Sequence, residues 1–247
     1  VLNKHYSKEG FMSKPNGHQK TILNLLSDAK ADFLIPDYQR PYAWNQDQCQ
    51  TLWDDLVNFT IPGGNHEKFD SKKDEYFLGS IVAFQENEKH EIIDGQQRLT
   101  TFMLILRAFH KDFENRQDNN GINIRQNIEK CIWKYDEFEN PLKDELKITS
   151  EVAGDDDKDE FLSILKNGNA PKEYKSQYAE NFRFFENKIQ EMRNYNSANN
   201  QYIVTRLLKN CAVLFVEAET QDSALRIFST LNDRGLPLAD ADIFKSK

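Results

Sequence analysis

"HEIIDGQQRLTTFMLILRAF", residues 90 to 109, decides how this chain reads. Two β-branched residues, Ile92 and Ile93, run into Asp94-Gly95, and Gln96, Gln97 and Arg98 then precede an apolar run at helical spacing. The pattern predicts a strand, a tight corner and a core helix from 96 to about 113. Glycine at such a corner lets backbone approach a ligand closely because it lacks a Cβ. A helix starting near Gln96 leaves its first amides without intrahelical partners and carries positive potential, which favours an anion, most often a phosphate. Arg98 adds a planar fork of donors suited to phosphate oxygens. Thr100 and Thr101 bring hydroxyls to the first turn, and Asp94 can either cap the helix or help hold a magnesium ion. The plain alternative is a structural corner with an aspartate cap and solvent-facing glutamines. Neither a Walker loop nor a Gly-x-Gly-x-x-Gly fingerprint occurs in the chain.

Upstream, "YFLGSIVAF" (76–84) and "KHEIID" (89–94) read as paired strands joined by the polar turn "QENE". Residues 19 to 30 place Ile22, Leu25 and Leu26 on one helical face, and the apolar segment "FLIP" stops at Pro36. "DYQRPYAW" (37–44) follows, a loop stiffened by a second proline and holding Tyr38, Gln39, Arg40, Tyr42 and Trp44. Aromatics beside an arginine suit stacking on a base and holding a phosphate; the competing reading is that the rings anchor the loop on the core. Asn45 can cap the next helix, where Cys49, Leu52, Trp53, Leu56 and Phe59 recur at helical spacing.

Downstream, a helical region with polar interruptions is expected over 122 to 208, with an aromatic face of Phe182, Phe184 and Phe185. Its acidic turn "GDDDKDE" reads as a helix start, since consecutive aspartates lack the spacing of a calcium loop. "CAVLFVEA" (211–218) reads as a buried strand and 221 to 231 as a helix ending in Leu231-Asn232-Asp233-Arg234-Gly235, where glycine is the expected C-cap. This order argues for α+β or mixed α/β with a helical extension. No repeat is visible, and the end in "ADIFKSK", on a new helical pattern, suggests a piece of a longer protein.

The 247 residues are enough for one large domain or two small ones. The net charge of -8 argues against a generally adhesive nucleic-acid surface, because non-specific affinity comes from neutralising phosphates, but it leaves room for a local basic pocket. No apolar run approaches the roughly 18 residues that span a bilayer, and the N-terminus lacks the order of a secretion signal. Cys49, Cys131 and Cys211 are odd in number and far apart, which points to reduced thiols in the cytoplasm and to no zinc site.

Three segments in order, Ile35 to Trp44, Asp94 to Arg98 and Leu231 to Gly235, resemble the N-terminal domain of the GmrSD-type restriction enzymes, with the likeness running over roughly 18 to 247. The resemblance implies an α+β fold with a ParB- and sulfiredoxin-like core, a small mixed sheet and a large helical extension. It divides the chain into an N-terminal extension (1–17), a core (18–120), a helical insertion (121–210) and a return to the core (211–247). It also implies binding and hydrolysis of a nucleoside triphosphate (GTP, ATP or other) with Mg2+, in defence against modified or phage DNA. By position, Asp94, Gln96, Gln97 and Arg98 would be catalytic, with Arg98 offsetting charge on the β- and γ-phosphates. Gln96 or Gln97 would position a water, or would only hydrogen-bond the turn. Tyr38, Gln39, Arg40, Tyr42, Trp44, Gly95, Thr100 and Thr101 would bind the nucleotide, and the turn holding Asn232 and Arg234 would close the pocket or couple it to neighbouring domains. Family members continue into a C-terminal His-Asn-His nuclease domain or act with a partner subunit, and a homodimer is compatible with this. The five histidines (His5, His18, His66, His90 and His110) are scattered, so cleavage is not expected in this chain. Two other classes stay open: a DNA-binding sensor without turnover, and a scaffold whose polar corner is structural.

Overall fold

The computed structural model describes residues 16–233. Its strands are β1 (Asn16–Thr21), β2 (Phe33–Ile35), β3 (Tyr76–Glu86), β4 (Lys89–Asp94), β5 (Trp133–Tyr135), β6 (Pro141–Leu146), β7 (Ile148–Ser150) and β8 (Cys211–Ala218). The helices are α1 (Ile22–Leu26), α2 (Gln46–Thr60), α3 (Gln96–Phe113), α4 (Asn119–Ile132), α5 (Lys158–Asn167), α6 (Gln177–Tyr195), α7 (Asn199–Asn210) and α8 (Gln221–Asp233). The fold is α+β. One six-stranded sheet runs β1-β8-β3-β4-β2-β7, and β5 and β6 form a separate pair. The main sheet is mixed: β1 and β8 are antiparallel, as are β3 and β4, whereas β8–β3, β4–β2 and β2–β7 are parallel.

Strand periodicity assigns the two faces. Ile81 and Ala83 of β3, Ile92 of β4 and Val213 and Phe215 of β8 enter the main core with helices α1 to α7. Their neighbours Val82, Phe84, Ile93 and Val216 face the other way and pack with Ala224, Ile227, Phe228 and Leu231 of α8. Alternation of this kind is what a sheet covered on both sides by helices requires. The β3–β4 turn has Asn87 and Glu88 both left-handed (φ 48 and 66), the geometry of a tight hairpin. Asn45 caps α2 as expected, in a reciprocal arrangement with Gln48.

The helix α3 runs through the middle of the core, against α4, α5 and α6. Of its 18 residues only Arg98, Lys111 and Asp112 are not buried. Two polar members of its buried stretch are satisfied locally. Arg107 Nε donates to Leu165 O at 2.9 Å, its Nη1 lies 3.0 Å from His110 Nδ1, and His110 Nε2 meets Glu129 at 3.1 Å. Buried polar groups persist when paired in this way.

Two stretches differ from their expected form. Over residues 19 to 30, β1 takes the chain up to Thr21 by pairing with β8, so the helix shrinks to Ile22–Leu26. The 122 to 208 region is helical except for β5, β6 and β7, of which the three-residue β7 joins the main sheet beside β2. Both strands exist through long-range pairing, which local periodicity does not report. The acidic turn leads into α5 at Lys158 as expected, and among the described residues no three His, Cys, Asp or Glu side chains gather as metal ligands. Cys49, Cys131 and Cys211 are free thiols, all buried. No helix among the described residues is long and apolar enough to cross a membrane.

Candidate functional site

The strand β4 ends at Asp94, and Gly95 turns the chain into α3 with φ 90. That left-handed backbone is one that glycine adopts without penalty. A Cβ at Gly95 would come within 2.9 Å of Ile81 Cγ1 and 3.0 Å of Ser80 O, so the corner presses directly on β3. As the N-cap residue, Gly95 brings no side chain to the first-turn amides. Arg98, one turn in, folds back over β3: its Nη1 donates to Leu78 O at 3.1 Å, and its Nη2 lies 3.8 Å from Asp94 Oδ2. The guanidinium occupies the space where Gly79 has no side chain, since a Cβ there would sit 2.0 Å from Nη1. Gly79 is itself left-handed (φ 97), at a register shift between β3 and β8. The bulge and the arginine's seat are therefore one feature. The Arg98 side chain is 20% exposed, so its charge is positioned by backbone yet reachable from solvent.

The glutamines connect this corner to the aromatic loop. Gln96 Nε2 donates to Arg40 O at 3.0 Å. Gln97 Oε1 accepts from Ala43 N at 2.8 Å, and its Nε2 donates to Pro41 O at 3.2 Å. From the loop side, Gln39 Nε2 donates to both Ile92 O and Ile93 O, at 3.1 and 2.9 Å. The loop 39–43 is thus laid along the end of β4 and the start of α3 by three side-chain amides, of which those of Gln96 and Gln97 replace backbone partners that a loop otherwise lacks. Both amide atoms of Gln97 are engaged by the loop, with one N–H and one lone pair left over.

Several residues expected to face a ligand face the core instead. Tyr42 and Trp44 are buried. The Tyr42 ring stacks on Tyr178 at 4.8 Å, and its hydroxyl lies 2.8 Å from Thr101 Oγ1. Asn181, fully buried in α6, donates to Tyr42 Oη at 3.0 Å and to Trp44 O at 2.7 Å. Burial, then neighbouring Cys49, holds the Tyr42 hydroxyl well above the usual phenol range. Thr101 also donates to Gln97 O at 2.8 Å, and Thr100 is buried. The cause is helical geometry: α3 is enclosed within one turn of its start, so hydroxyls at its fifth and sixth positions point inward.

Tyr38 and Arg40 are exposed, as are Asp37, Pro41 and Ala43 of the same loop. The Tyr38 hydroxyl donates to Glu91 Oε1 at 2.7 Å, and Gln221 at the start of α8 lies against it. Burial raises the pKa of both Tyr38 and Glu91. Half of the Tyr38 surface remains open. The structure therefore brings Asp94, Gly95, Gln96, Gln97, Arg98, Gln39 and the backbone of Arg40 together. Asn232 lies in α8, but its side chain, and the whole of Arg234, lie outside the described residues. Gly79 and Asn181 are the structural members that sequence reading missed. A glycine inside the strand pattern "YFLGSIVAF" was the available signal for the first, because such a glycine marks a bulge or a close approach. Nothing local marks Asn181.

A family model described as the N-terminal domain of the GmrSD restriction endonuclease matches residues 22–247. No curated protein matches the chain.

Proposed function

The chain belongs to the family of GmrSD restriction endonuclease N-terminal domains, and from that premise we propose that it binds and hydrolyses a nucleoside triphosphate as the regulatory domain of a bacterial DNA restriction system. A role in a restriction system follows from the family. The observation that carries the nucleotide reading is the seat of Arg98 on the Gly79 bulge, beside a helix start whose N-cap residue is Gly95. Phosphates at that corner would meet oriented amides and a guanidinium fixed before they arrive. Such preorganised charge is most of what phosphoryl transfer asks of a protein. In this reading Arg40 supplies a second cation, and Tyr38 a ring face for the base. Gln39, Gln96 and Gln97 position the loop, while Tyr42, Trp44, Thr100, Thr101 and Asn181 hold it from beneath.

Mg2+ is ordinarily held by one or two carboxylates together with substrate phosphates. Asp94, 3.8 Å from Arg98, fits that limited part. When bound, the ion would neutralise phosphate charge. The ParB- and sulfiredoxin-like core belongs to the same proposal, as does a cytoplasmic setting, which suits three buried free thiols. DNA cleavage would fall to a nuclease domain or partner subunit.

Thermal-shift measurement with each of the four ribonucleoside triphosphates and Mg2+ tests the proposal. A ligand held by the folded state at about 100 times its Kd adds roughly 2.7 kcal/mol of stability. Arg98→Ala should abolish that gain. If no triphosphate raises Tm, or the gain survives Arg98→Ala, the corner is not the phosphate site. The half-open Tyr38 ring would equally suit a base within DNA. A salt titration separates the two readings, since affinity for DNA falls steeply as salt rises.

A further inference from the structure

The corner lies at one end of β4. At the other end, where His90 pairs with Phe33 and donates its N–H to Asp32 O at 2.7 Å, a cavity of about 760 Å³ opens between α1, the β3–β4 turn, α4 and β5. Its charged lining is four lysines (Lys30, Lys130, Lys134 and Lys147) and three carboxylates (Asp32, Glu88 and Glu139), so it is locally cationic within a chain of net charge -8.

Lys147 is the unusual member. It is buried, and its Nζ donates to Leu26 O at 3.0 Å and Asp28 O at 2.8 Å, at the C-terminal end of α1. An ammonium has three donors, so one remains. No carboxylate among the described residues lies within ion-pair distance of Lys147, Lys30 or Lys130. A buried cation held by carbonyls, with Asp28 and Asp32 acting on it only from beyond ion-pair distance, is costly to hold, and burial accordingly pulls the Lys147 pKa down. Lys134 pairs with Asp32 through Oδ2 at 2.5 Å, and the other oxygen of Asp32, Oδ1, is buried with no hydrogen-bond donor. The wall thus sets the buried Lys147 ammonium, with one N–H left over, beside the exposed Lys30 and Lys130, while Asp32 Oδ1 lies beneath the surface. Glu88 and Glu139 at its edge would repel a continuous phosphate strand, which favours a compact ligand over DNA. The volume is within the range of small-molecule sites.

We propose that this cavity is a second ligand site, separate from the Gly95 corner, for a small phosphomonoester of about the size of a nucleoside monophosphate. Its phosphate would sit against Lys147, Lys30 and Lys130.

Isothermal titration of the full chain with AMP is the test, with inorganic phosphate and a short DNA duplex as competitors. AMP should bind saturably and more tightly than inorganic phosphate. The double variant Lys30→Ala/Lys130→Ala changes two exposed side chains and should keep the fold. It should bind AMP at least roughly tenfold more weakly, as expected for the loss of charge-assisted contacts. Lys147→Met should abolish binding, with circular dichroism to show that it is folded; if it is not, the double variant decides. Arg98→Ala should leave AMP binding unchanged, so failure here is distinct from failure of the triphosphate proposal. The inference is overturned if neither AMP nor phosphate binds at millimolar concentration, or if the lysine changes have no effect. It is equally overturned if inorganic phosphate binds as tightly as AMP, if Arg98→Ala removes AMP binding, or if the duplex displaces it.

Discussion

Replacing Gly79 by alanine probes the seat of Arg98 directly. The added Cβ would lie 2.0 Å from Arg98 Nη1 and 3.1 Å from Cζ, at a φ of 97. Two separable costs follow. An L residue held in left-handed backbone loses about 1–2 kcal/mol. The guanidinium is the far end of a flexible side chain, so it would swing aside and give up its bond to Leu78 O. A hydrogen bond to a charged group is worth about 1.5–3 kcal/mol, and partial exposure puts this one at the lower end. Together the loss should be about 2–4 kcal/mol by urea denaturation. Gly154→Ala serves as the control: its φ is 73, but nothing lies within 4 Å of an added Cβ, so it carries the strain alone. In an Arg98→Ala background, Gly79→Ala should also carry only strain, which leaves a coupling of about 1–2 kcal/mol in the double-mutant cycle. Gly79→Ala should in addition lose the triphosphate-induced rise in Tm. An additive cycle, or a Gly79→Ala cost no larger than that of Gly154→Ala, would refute the idea that the bulge exists to seat the arginine.

Other perturbations check the scaffold around it. Gln97→Ala removes the partners of Ala43 N and Pro41 O and should cost about 2–3 kcal/mol. Limited proteolysis should then cut faster within 37–44, and an unchanged cleavage rate would mean that the clamp is dispensable. Asn181→Leu keeps approximate volume but strips Trp44 O and Tyr42 Oη of a donor, for an expected loss of about 2–4 kcal/mol in urea; a loss near zero would show that water replaces the amide. Glu91 has its pKa raised, chiefly by burial. Its contribution to stability is therefore full below the ordinary carboxylate value and declines as pH rises through the higher folded-state value. Glu91→Gln should remove that decline, so the variant gains on the parent as pH rises above the ordinary carboxylate value. A difference that stays flat with pH would contradict the assignment.

The parts of this fold legible from sequence are those specified locally. Asn45 followed by Gln48 announces the α2 cap, and "QENE" between two apolar β-rich runs announces the β3–β4 hairpin. The Asp94-Gly95 corner shows because a polar break containing glycine, set between a strand pattern and a helix pattern, marks a reversal of the chain. What stayed hidden depends on partners distant in the chain. β1 ends where its pairing with β8 ends, and the Ile148–Ser150 strand is defined by Phe33 to Ile35 across the sheet. The choice between stacking on a ligand and anchoring the loop stayed open for the aromatics for the same reason. Tyr42 and Trp44 lie in the core against elements distant in the chain, where Asn181, about 140 positions later, donates to Tyr42 Oη and to the Trp44 carbonyl.

The glutamines show where composition stops being informative. A side-chain amide offers one donor group and one acceptor, and so it matches a stretch of backbone as well as it matches a ligand. Polar residues at a helix start therefore raise the odds of a site without saying which of them face it. Here the segment divides its labour. Gly95 and Arg98 present backbone and charge toward the corner, and Gln96 and Gln97 use their amides to bind the 40–43 loop against it. That division is what a preorganised anion site needs, since donors that must first be gathered lose in ordering what they gain in contact. If a bound phosphate were to take the Gln97 amide away from the loop, Ala43 N and Pro41 O would lose their partner. Ligand binding that tightens the 37–44 segment against protease, and does not loosen it, is the result that the clamped arrangement demands.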